Sequence, residues 1–250
     1  MYDPRCDGAD CDKCPLGPSG DLRAFAFDWR PLETEHHKNA NAIVVLDAPA
    51  KEDARTGHYF SSSDVGGPWL RALWELKERR DSFSVTSVLA CRPPGPINGA
   101  YRRMEDKLKR LNKRRNAEGF DSLPHPETCC RPRLLKAVAD YDNIITLGKI
   151  PTRALTGIRR GIKKVRGSPW KINVSWEKVR EDYSGAHRKV LPTYSPGYVD
   201  RAPAYFDRWM HDLRKGLRFF ADSLNWEEPS SILWRPTPAE FDQWIEDIRP

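Results

Sequence analysis

The chain has 250 residues, of which 39% are hydrophobic and nine are tryptophan, so it can form a sizeable core. No run approaches 18 apolar residues and the first six residues lack an apolar segment, so we expect no membrane span, no signal peptide and an intracellular protein with reduced thiols. The net charge is +7, but residues 222–250 carry −5, which leaves +12 on residues 1–221. This charge favours a nucleic-acid partner over a merely solvated cationic surface.

Four apolar runs of strand length alternate with helical patterns. The strands are residues 41–46, the run that begins at Ser84, residues 143–148 and residues 189–194. Helices are predicted after Gly66-Gly67-Pro68 with Pro68 in the first turn, over residues 101–118, from Pro132, over residues 149–156, and as one long helix after Tyr198. The alternation predicts an α/β fold with a parallel sheet covered on both sides.

The loops that follow these strands carry polar or reactive residues. Asp47, Cys91, Gly148 and Ser195 each come at or just after the end of an apolar run, and residues 47–60 are predicted as one loop. Ligands gather at the carboxyl ends of parallel strands. We therefore expect these four residues at one edge of the sheet.

The end of the chain differs from the basic body. We assign residues 1–224 to one domain and residues 225–250 to an acidic linker and helix. Thr237-Pro238-Ala239-Glu240 has the pattern of a capping box with proline at the first helical position. This helix either packs back on the body or begins a further domain.

Six cysteines in a reducing compartment indicate metal or redox chemistry before disulfides. Cys11 and Cys14 have the two-residue spacing that brings two thiolates onto one centre. Cys91 and the pair Cys129-Cys130 supply further sulfurs, and four cysteines suit a [4Fe–4S] cluster or structural zinc. The alternative is that Cys91 is a small buried hydrophobe and that the pair is incidental.

Several short motifs then follow one another in a distinctive order. They are Cys14-Pro15-Leu16, a strand ending in Ala48-Pro49, Arg55-Thr56-Gly57 with Phe60, Cys91-Arg92-Pro93-Pro94, Cys130-Arg131-Pro132, Leu147-Gly148, and Pro192-Thr193-Tyr194 with Pro196. This order resembles the iron–sulfur uracil-DNA glycosylases, the fourth and fifth families of their superfamily, over about residues 6–220. The resemblance implies a three-layer α/β/α fold around a four-stranded parallel sheet.

The resemblance also implies a cofactor and its ligands. A [4Fe–4S] cluster would be held by Cys11, Cys14, Cys91 and Cys130, with zinc as the alternative. Cys130 is preferred to Cys129 because the last cysteine of the family directly precedes Arg-Pro, as Cys130 does here.

Glycosylases of this kind hydrolyse the N-glycosidic bond of a base that has left the stack. Phe60 matches the family's stacking phenylalanine, and Asp47, Pro49 and Ala50 fall in its first motif. A carboxylate such as Asp47 can orient or deprotonate the attacking water. The alternatives are a core aromatic for Phe60 and a polar strand-end cap for Asp47. Asp64 is a second candidate carboxylate.

Two departures from the family motifs bear on activity. Ser87 stands where many fourth-family members have the asparagine that reads the uracil edge, and Ser195 stands where the family has a histidine that stabilises the leaving base. A hydroxyl donates a hydrogen bond but carries no positive charge. Losing one such donor costs roughly 10²–10³ in rate.

DNA contact is expected from two basic stretches, residues 102–115 and the loop or hairpin at residues 159–167. The candidate contacts are Arg102, Arg103, Lys109, Arg110, Arg159, Arg160, Lys163 and Lys164. The alternative for the first stretch is a solvated helix. Tyr194 and Tyr198 lie beside Ser195 in sequence and either contact a nucleotide or pack together.

The leading interpretation is a DNA-binding iron–sulfur protein that recognises, and where active excises, uracil or a related deaminated base. Its mechanism would be base flipping onto Phe60, water attack guided by Asp47, and support of the leaving base by Ser195 and backbone N–H groups. The alternatives are a non-catalytic DNA-binding module of a replication protein, such as the N-terminal region of a DNA polymerase, and a zinc-stabilised binding module. Replication proteins or a further domain of the same chain are the other expected partners.

Overall fold

The computed structural model describes residues 8–18, 20–22, 31–93, 100–173 and 187–222. Five strands in these ranges form one sheet. They are β1 (Ala42–Leu46), β2 (Phe83–Ser87), β3 (Asn143–Leu147), β4 (Trp170–Asn173) and β5 (His187–Thr193). The spatial order is β2-β1-β3-β5-β4.

The four predicted strands pair in parallel, which confirms the expected four-stranded parallel sheet. Leu46 lies opposite Ser87, and Leu147 lies opposite Thr193, so these strands end at nearly the same level. Strand β4 pairs antiparallel with β5 and was not predicted. It follows the basic residues 159–167, which form a loop with a single 3-10 turn at Ile162–Lys164 rather than a hairpin.

Seven α-helices surround the sheet in the described part of the chain. They are α1 (Lys51–Thr56), α2 (Ser63–Leu76), α3 (Ala100–Ala117), α4 (Pro126–Val138), α5 (Lys149–Thr156), α6 (Pro196–Arg201) and α7 (Phe206–Phe220). No helix among these residues has the length and apolar character needed to cross a membrane.

The two faces of the sheet form two separate cores, because neighbouring strand residues point in opposite directions. Val44 and Leu46 pack with side chains of α2 and α7, including Trp69 and Trp209. Ile43 and Val45 pack on the other face with side chains of α3, α4 and α5 and with several cysteines. This arrangement confirms the three-layer α/β/α fold.

Several predicted helix boundaries were wrong, and each has a local cause. Helix α2 begins at Ser63, and Pro68 lies inside it. Helix α4 begins at Pro126 rather than at Pro132, because Pro126 occupies the first turn and His125 Nδ1 accepts the Glu127 N–H at 3.2 Å.

Two further elements differ from the sequence prediction. Part of the predicted loop at 47–60 is helix α1, which ends at Gly57 in a left-handed conformation (φ +82°). The predicted long helix after Tyr198 is divided into α6, a 3-10 turn at Pro203–Tyr205, and α7. Pro203 lacks the N–H that would continue the first helix. The predicted linker and helix at 225–250 lie outside the described residues.

Candidate active-site cleft and cysteine cluster

A cleft of about 630 Å³ opens at the carboxyl edge of the parallel sheet. Its wall includes residues from the ends of all four parallel strands and from the first half of α3. The lining residues that the strand ends contribute are Leu46, Asp47, Arg92, Pro93, Lys149, Ile150, Ser195, Pro196 and Gly197. Of the four residues expected at this edge, Asp47 and Ser195 line the cleft and Gly148 adjoins Ser195, whereas Cys91 is not among the lining residues and packs with the other cysteines.

Asp47 follows β1 directly and lines this cleft, half-buried. Its Oδ1 accepts the N–H of Ala48 at 3.0 Å, which fixes the direction of the carboxyl group. Burial raises the pKa of Asp47, and hydrogen bonds from backbone N–H groups only partly oppose that rise. A carboxylate with a raised pKa is a stronger proton acceptor than an exposed one, and it faces the cavity where a substrate would lie.

Asp53 is a cleft-lining carboxylate that the sequence did not single out. It is fully buried, and its two oxygens accept the N–H groups of Ala50 at 3.0 Å and Ser61 at 2.8 Å. Burial raises its pKa. These bonds join the Pro49-Ala50 segment of the cleft to the loop that carries Phe60.

Phe60 itself lies against the core and is not among the residues that line the cleft. It is 7% exposed and stacks on Trp69 with 5.1 Å between ring centroids. Its backbone is left-handed (φ 60°), a strained conformation for a residue with a side chain. Neighbouring contacts stabilise this backbone conformation. Asp53 accepts the N–H of Ser61, the next residue, and the Arg80 guanidinium lies 5.5 Å from the centroid of the Phe60 ring.

Ser87 is likewise buried outside the cleft wall. It is fully buried, its hydroxyl donates to the carbonyl of Leu89 at 2.7 Å, and it shares a hydrogen bond of 2.8 Å with the Tyr59 hydroxyl. Ser87 is not among the cleft-lining residues, in contrast to Pro49 and Ala50, which are.

Ser195 lines the cleft at the start of α6, and its side chain makes no capping hydrogen bond. Gly148, at the end of β3, lies beside it with a backbone that favours glycine (φ +111°). A Cβ added there would lie 3.6 Å from the Cβ of Ser195. Tyr194 and Tyr198 stack on each other with 4.9 Å between centroids, as one sequence alternative proposed.

Six lysine and arginine side chains line the cleft, together with five acidic ones. The predicted contacts Arg102 and Lys109 line it, while Arg103 and Arg110 are exposed on the same helix. The second predicted group, which is Arg159, Arg160, Lys163 and Lys164, is exposed on the loop before β4. The sequence did not single out four more lining cations, which are Arg92, Lys149, Arg153 and Arg201.

Arg92 is a buried cation of the cleft wall, with only 5% of the residue exposed. Burial lowers its pKa, and the charges of Asp64 and Asp53 oppose that change. Asp64, the second candidate carboxylate, lines the same cleft. The position of Arg92 directly after Cys91 was the available sequence signal for this cation.

Five cysteines from distant parts of the chain meet beside the second core. Cys11, Cys14, Cys129 and Cys130 are each less than 9% exposed, and Cys91 is half-buried. The Cys14 thiol is hydrogen-bonded to Cys129, and it lies close enough to Cys130 and Cys91 for their charges to act on it. Burial raises the pKa of the Cys14, Cys129 and Cys130 thiols.

The backbone around these sulfurs is closely packed. The N–H of Asp10 donates to the Cys129 carbonyl at 2.9 Å, which joins the N-terminal loop to α4. A Cβ on Gly17 would lie 1.9 Å from the Cys11 carbonyl oxygen, so only glycine fits there. A set of buried thiols suits a soft metal centre. Within the described residues, no group of three or more His, Cys, Asp or Glu side chains is arranged to hold a metal ion.

The fold and the cleft define a class of protein. A sequence model of the uracil DNA glycosylase superfamily matches residues 34–214, and the chain belongs to that superfamily. A type-4 uracil-DNA glycosylase from Pyrobaculum aerophilum is 25% identical over 209 residues, which cover 81% of this chain and 86% of that relative. These matches confirm the family resemblance and support a DNA glycosylase-like function with DNA as substrate.

Proposed function

We propose that this protein binds DNA and removes uracil, or a related deaminated base, by hydrolysis of the N-glycosidic bond. The observation that carries the proposal is the position of Asp47 on the wall of a cleft that six lysine and arginine side chains also line, in a chain that belongs to the uracil DNA glycosylase superfamily. Cations around the opening attract the phosphates on both sides of an extruded nucleotide.

The proposed chemistry uses groups of this chain. Asp47 orients a water molecule toward the anomeric carbon and takes its proton as the new C–O bond forms. The bond to the base nitrogen breaks, and its electron pair leaves with the base. Ser195, which follows β5 at the same edge of the sheet, donates a hydrogen bond to the departing base.

Phe60 has a supporting part in this proposal. Its stack on Trp69 and its bonded neighbour Asp53 hold the loop beside Ala50 in one conformation. A base that contacts the ring of Phe60 requires a shift of this loop, because the ring is 7% exposed.

We further propose that Cys11, Cys14, Cys91 and Cys130 hold a [4Fe–4S] cluster. The burial of Cys11, Cys14 and Cys130, the closeness of Cys14 to Cys91 and Cys130 and of Cys130 to Cys11, and the thiolate donor type support this proposal. Within the described residues these sulfurs are not themselves arranged as a metal site. Such a centre would supply structural cohesion between the N-terminal loop, the tip of β2 and α4. Visible absorption and iron analysis of the purified protein distinguish the cluster from zinc, which would leave the protein colourless.

The decisive experiment for the activity is release of free uracil from a labelled single-stranded oligonucleotide that contains one deoxyuridine. Release by the wild-type protein and its loss in Asp47→Asn are the expected results. Asp64→Asn serves as the matched control, because Asp64 lines the same cleft from α2. Absence of release by the wild-type protein contradicts the proposal.

A non-catalytic DNA-binding module is the second candidate function, and one observation favours it. The Ser87 hydroxyl is committed to Leu89 and Tyr59, so it offers no donor to a base in the cleft. Tight, salt-sensitive DNA binding without base release identifies this function. The family histidine can then be restored as Ser195→His, and a gain of uracil release would show that the cleft is otherwise competent.

A further inference from the structure

Helix α3 extends from the cleft along the protein surface and carries an unusual density of positive charge. Its first ten residues include several that line the cleft, such as Arg102 and Lys109, while Met104 and Leu108 are buried against the core. Residues 107–115 include six lysines or arginines and no acid. Burial and the charge of Arg110 lower the pKa of Lys107, as expected where positive charges crowd together.

The helix ends in a turn that holds a phenylalanine in solvent. Phe120 is 58% exposed, and it is one of three large hydrophobic side chains exposed in the described part of the chain. Gly119 adopts a left-handed conformation (φ +83°), and the Phe120 N–H donates to the Arg115 carbonyl at 2.8 Å. This is the hydrogen-bond pattern of a Schellman cap, which fixes the direction of the chain after the helix.

Side chains of α3 also hold the rest of this turn. Asn112 Oδ1 accepts the Leu123 N–H at 2.8 Å, and its Nδ2 donates to the Leu123 carbonyl at 3.1 Å. The Ser122 hydroxyl donates to Asn116 Oδ1 at 3.0 Å. These hydrogen bonds fix the turn, and the fixed turn keeps the side chain of Phe120 exposed.

Phe120 lies next to the charge of the helix. The Arg115 guanidinium carbon is 5.6 Å from the ring centroid, while Arg115 Nε donates to the Asp121 carbonyl at 3.0 Å. An aromatic face beside an arginine, at the end of a row of cations, is the combination that binds unpaired nucleotides. The cations contact phosphates, and the ring stacks on a base.

We propose that α3 and Phe120 form a binding track for single-stranded DNA that leaves the cleft. We call this surface the α3 track and define it by Lys109, Arg110, Lys113, Arg114 and Phe120. The track is continuous with the cleft at Lys109, and α3 is about 27 Å long at 1.5 Å per residue. It rests on the proposed function only in that the nucleotide at the cleft belongs to DNA.

The stacking part of the proposal is tested at Phe120 by fluorescence anisotropy. The probes are a labelled oligothymidylate and a blunt duplex of equal length. Phe120→Ala weakens binding of the oligothymidylate by roughly 5- to 150-fold, while duplex binding changes by less than about twofold, because duplex bases are already stacked. Phe120→Leu behaves like Phe120→Ala, and Phe120→Trp binds like the wild type.

Trp74 provides a matched control. It is 81% exposed on α2, which packs on the other face of the sheet, so Trp74→Ala removes an exposed aromatic without touching the α3 track. Unchanged oligothymidylate binding by Phe120→Ala overturns the proposal. An equal loss for Trp74→Ala, or an equal loss on the duplex, also overturns it.

The electrostatic part is tested by the salt dependence of binding. The triple variant Arg110→Gln, Lys113→Gln, Arg114→Gln lowers the slope of log affinity against log salt by about 2, which is roughly 0.7 for each lost phosphate contact. Arg214→Gln with Arg218→Gln on α7 is the control, because both residues are exposed on the opposite layer. An unchanged slope in the triple variant overturns the track.

These results are separable from those on activity. If uracil is released but the α3 variants bind as the wild type does, the α3 track is wrong and the glycosylase activity stands. If no base is released but the Phe120 series shows the expected pattern, the track stands and the activity is wrong.

Discussion

The position of Asp47 in the cleft lowers the stability of the folded chain, because its carboxyl group is partly removed from water. Its side chain is half-buried, and burial raises its pKa above that of an ordinary aspartate. The ionised form is therefore less favourable in the folded chain than in the unfolded chain. The folded state loses stability as the pH rises from the ordinary carboxyl range through the raised pKa of Asp47.

We predict that Asp47→Asn makes the protein more stable at neutral pH. The amide keeps an oxygen that accepts the Ala48 N–H but carries no charge to bury. The gain shrinks as the pH falls toward the ordinary carboxyl range, where Asp47 is neutral in both states. Thermal unfolding of both proteins across this range measures the difference, and a variant that is less stable at every pH would contradict the prediction.

The same group fixes the acid limb of the activity. Because the proposed role requires ionised Asp47, uracil release falls as the pH drops through its raised pKa, above the range of an exposed aspartate. We predict a residual rate about 10²–10⁴-fold lower in Asp47→Asn. A rate–pH profile of single-turnover release tests both points, and an acid limb in the normal carboxyl range would refute the assignment.

The sequence predicted the cleft residues that directly follow strands. It missed residues whose roles depend on contacts between separate elements. Asp47 and Ser195 lie in the cleft as expected, because a strand end fixes where the next residue points. Asp53 was missed, because its role depends on the approach of Ser61 across a helix and a turn. The burial of Phe60 on Trp69 likewise depends on packing between elements, which residue order does not specify.

Helix α2 contains two adjacent glycines, Gly66 and Gly67, with different surroundings. A Cβ on Gly66 would lie 2.0 Å from the carbonyl oxygen of Phe60, whereas a Cβ on Gly67 would meet nothing within 4 Å. We predict that Gly66→Ala destabilises the protein by about 2 kcal/mol or more, because the backbone of Phe60 must move. Gly67→Ala stabilises it by up to about 1 kcal/mol through helix propensity. Chemical denaturation of the pair provides the comparison, and similar effects would contradict it.

The loop before β4 is tied to the sheet by a buried ion pair. Arg166 donates to both Asp212 oxygens at 2.9 and 2.7 Å, and the Thr193 hydroxyl donates to Asp212 Oδ2 at 2.7 Å. Gly167 is left-handed (φ +67°), and an added Cβ would lie 2.3 Å from Asp212 Oδ1. The predicted basic loop is therefore anchored at its end by a network that the sequence did not indicate.

We predict that Gly167→Ala costs about 2–4 kcal/mol, because it adds backbone strain and forces apart the Arg166–Asp212 pair. Gly161→Ala in the same loop is the control, since its φ of −63° suits alanine and nothing lies within 4 Å of the new Cβ. That control changes stability by less than about 1 kcal/mol. Equal losses in the two variants, measured by thermal unfolding, would contradict the role of this network.

Local sequence patterns did not predict where two of the helices begin. Pro68 and Pro132 each suit a first helical turn, but both lie inside helices that begin earlier. The antiparallel strand β4 was missed because its four residues pair only with β5 and give little pattern of their own. The alternation of apolar strands and amphipathic helices along the chain was sufficient to predict the three layers and the parallel sheet.

The candidate cleft and the cysteine group lie in different positions relative to the sheet. The cleft lies across the strand ends, while the cysteines lie on the face covered by α3, α4 and α5. Arg133 links the cysteine face to the sheet, because it is buried beside Cys130 and donates to Thr86 Oγ1 at 3.1 Å. Arg133 therefore connects the cysteine face to strand β2.

The proposed cluster can be tested with two neighbouring substitutions, at Cys129 and Cys130. Both are 5% exposed on α4, so replacement by alanine leaves a similar small cavity in each case. We predict that Cys130→Ala abolishes visible absorbance and bound iron, whereas Cys129→Ala retains both. Because binding of the centre contributes folding free energy, Cys130→Ala also lowers Tm by about 2–4 °C for each kcal/mol lost. If Cys130→Ala keeps its iron and Cys129→Ala loses it, Cys129 is the ligand instead of Cys130. If both variants keep their iron, neither cysteine of α4 is a ligand.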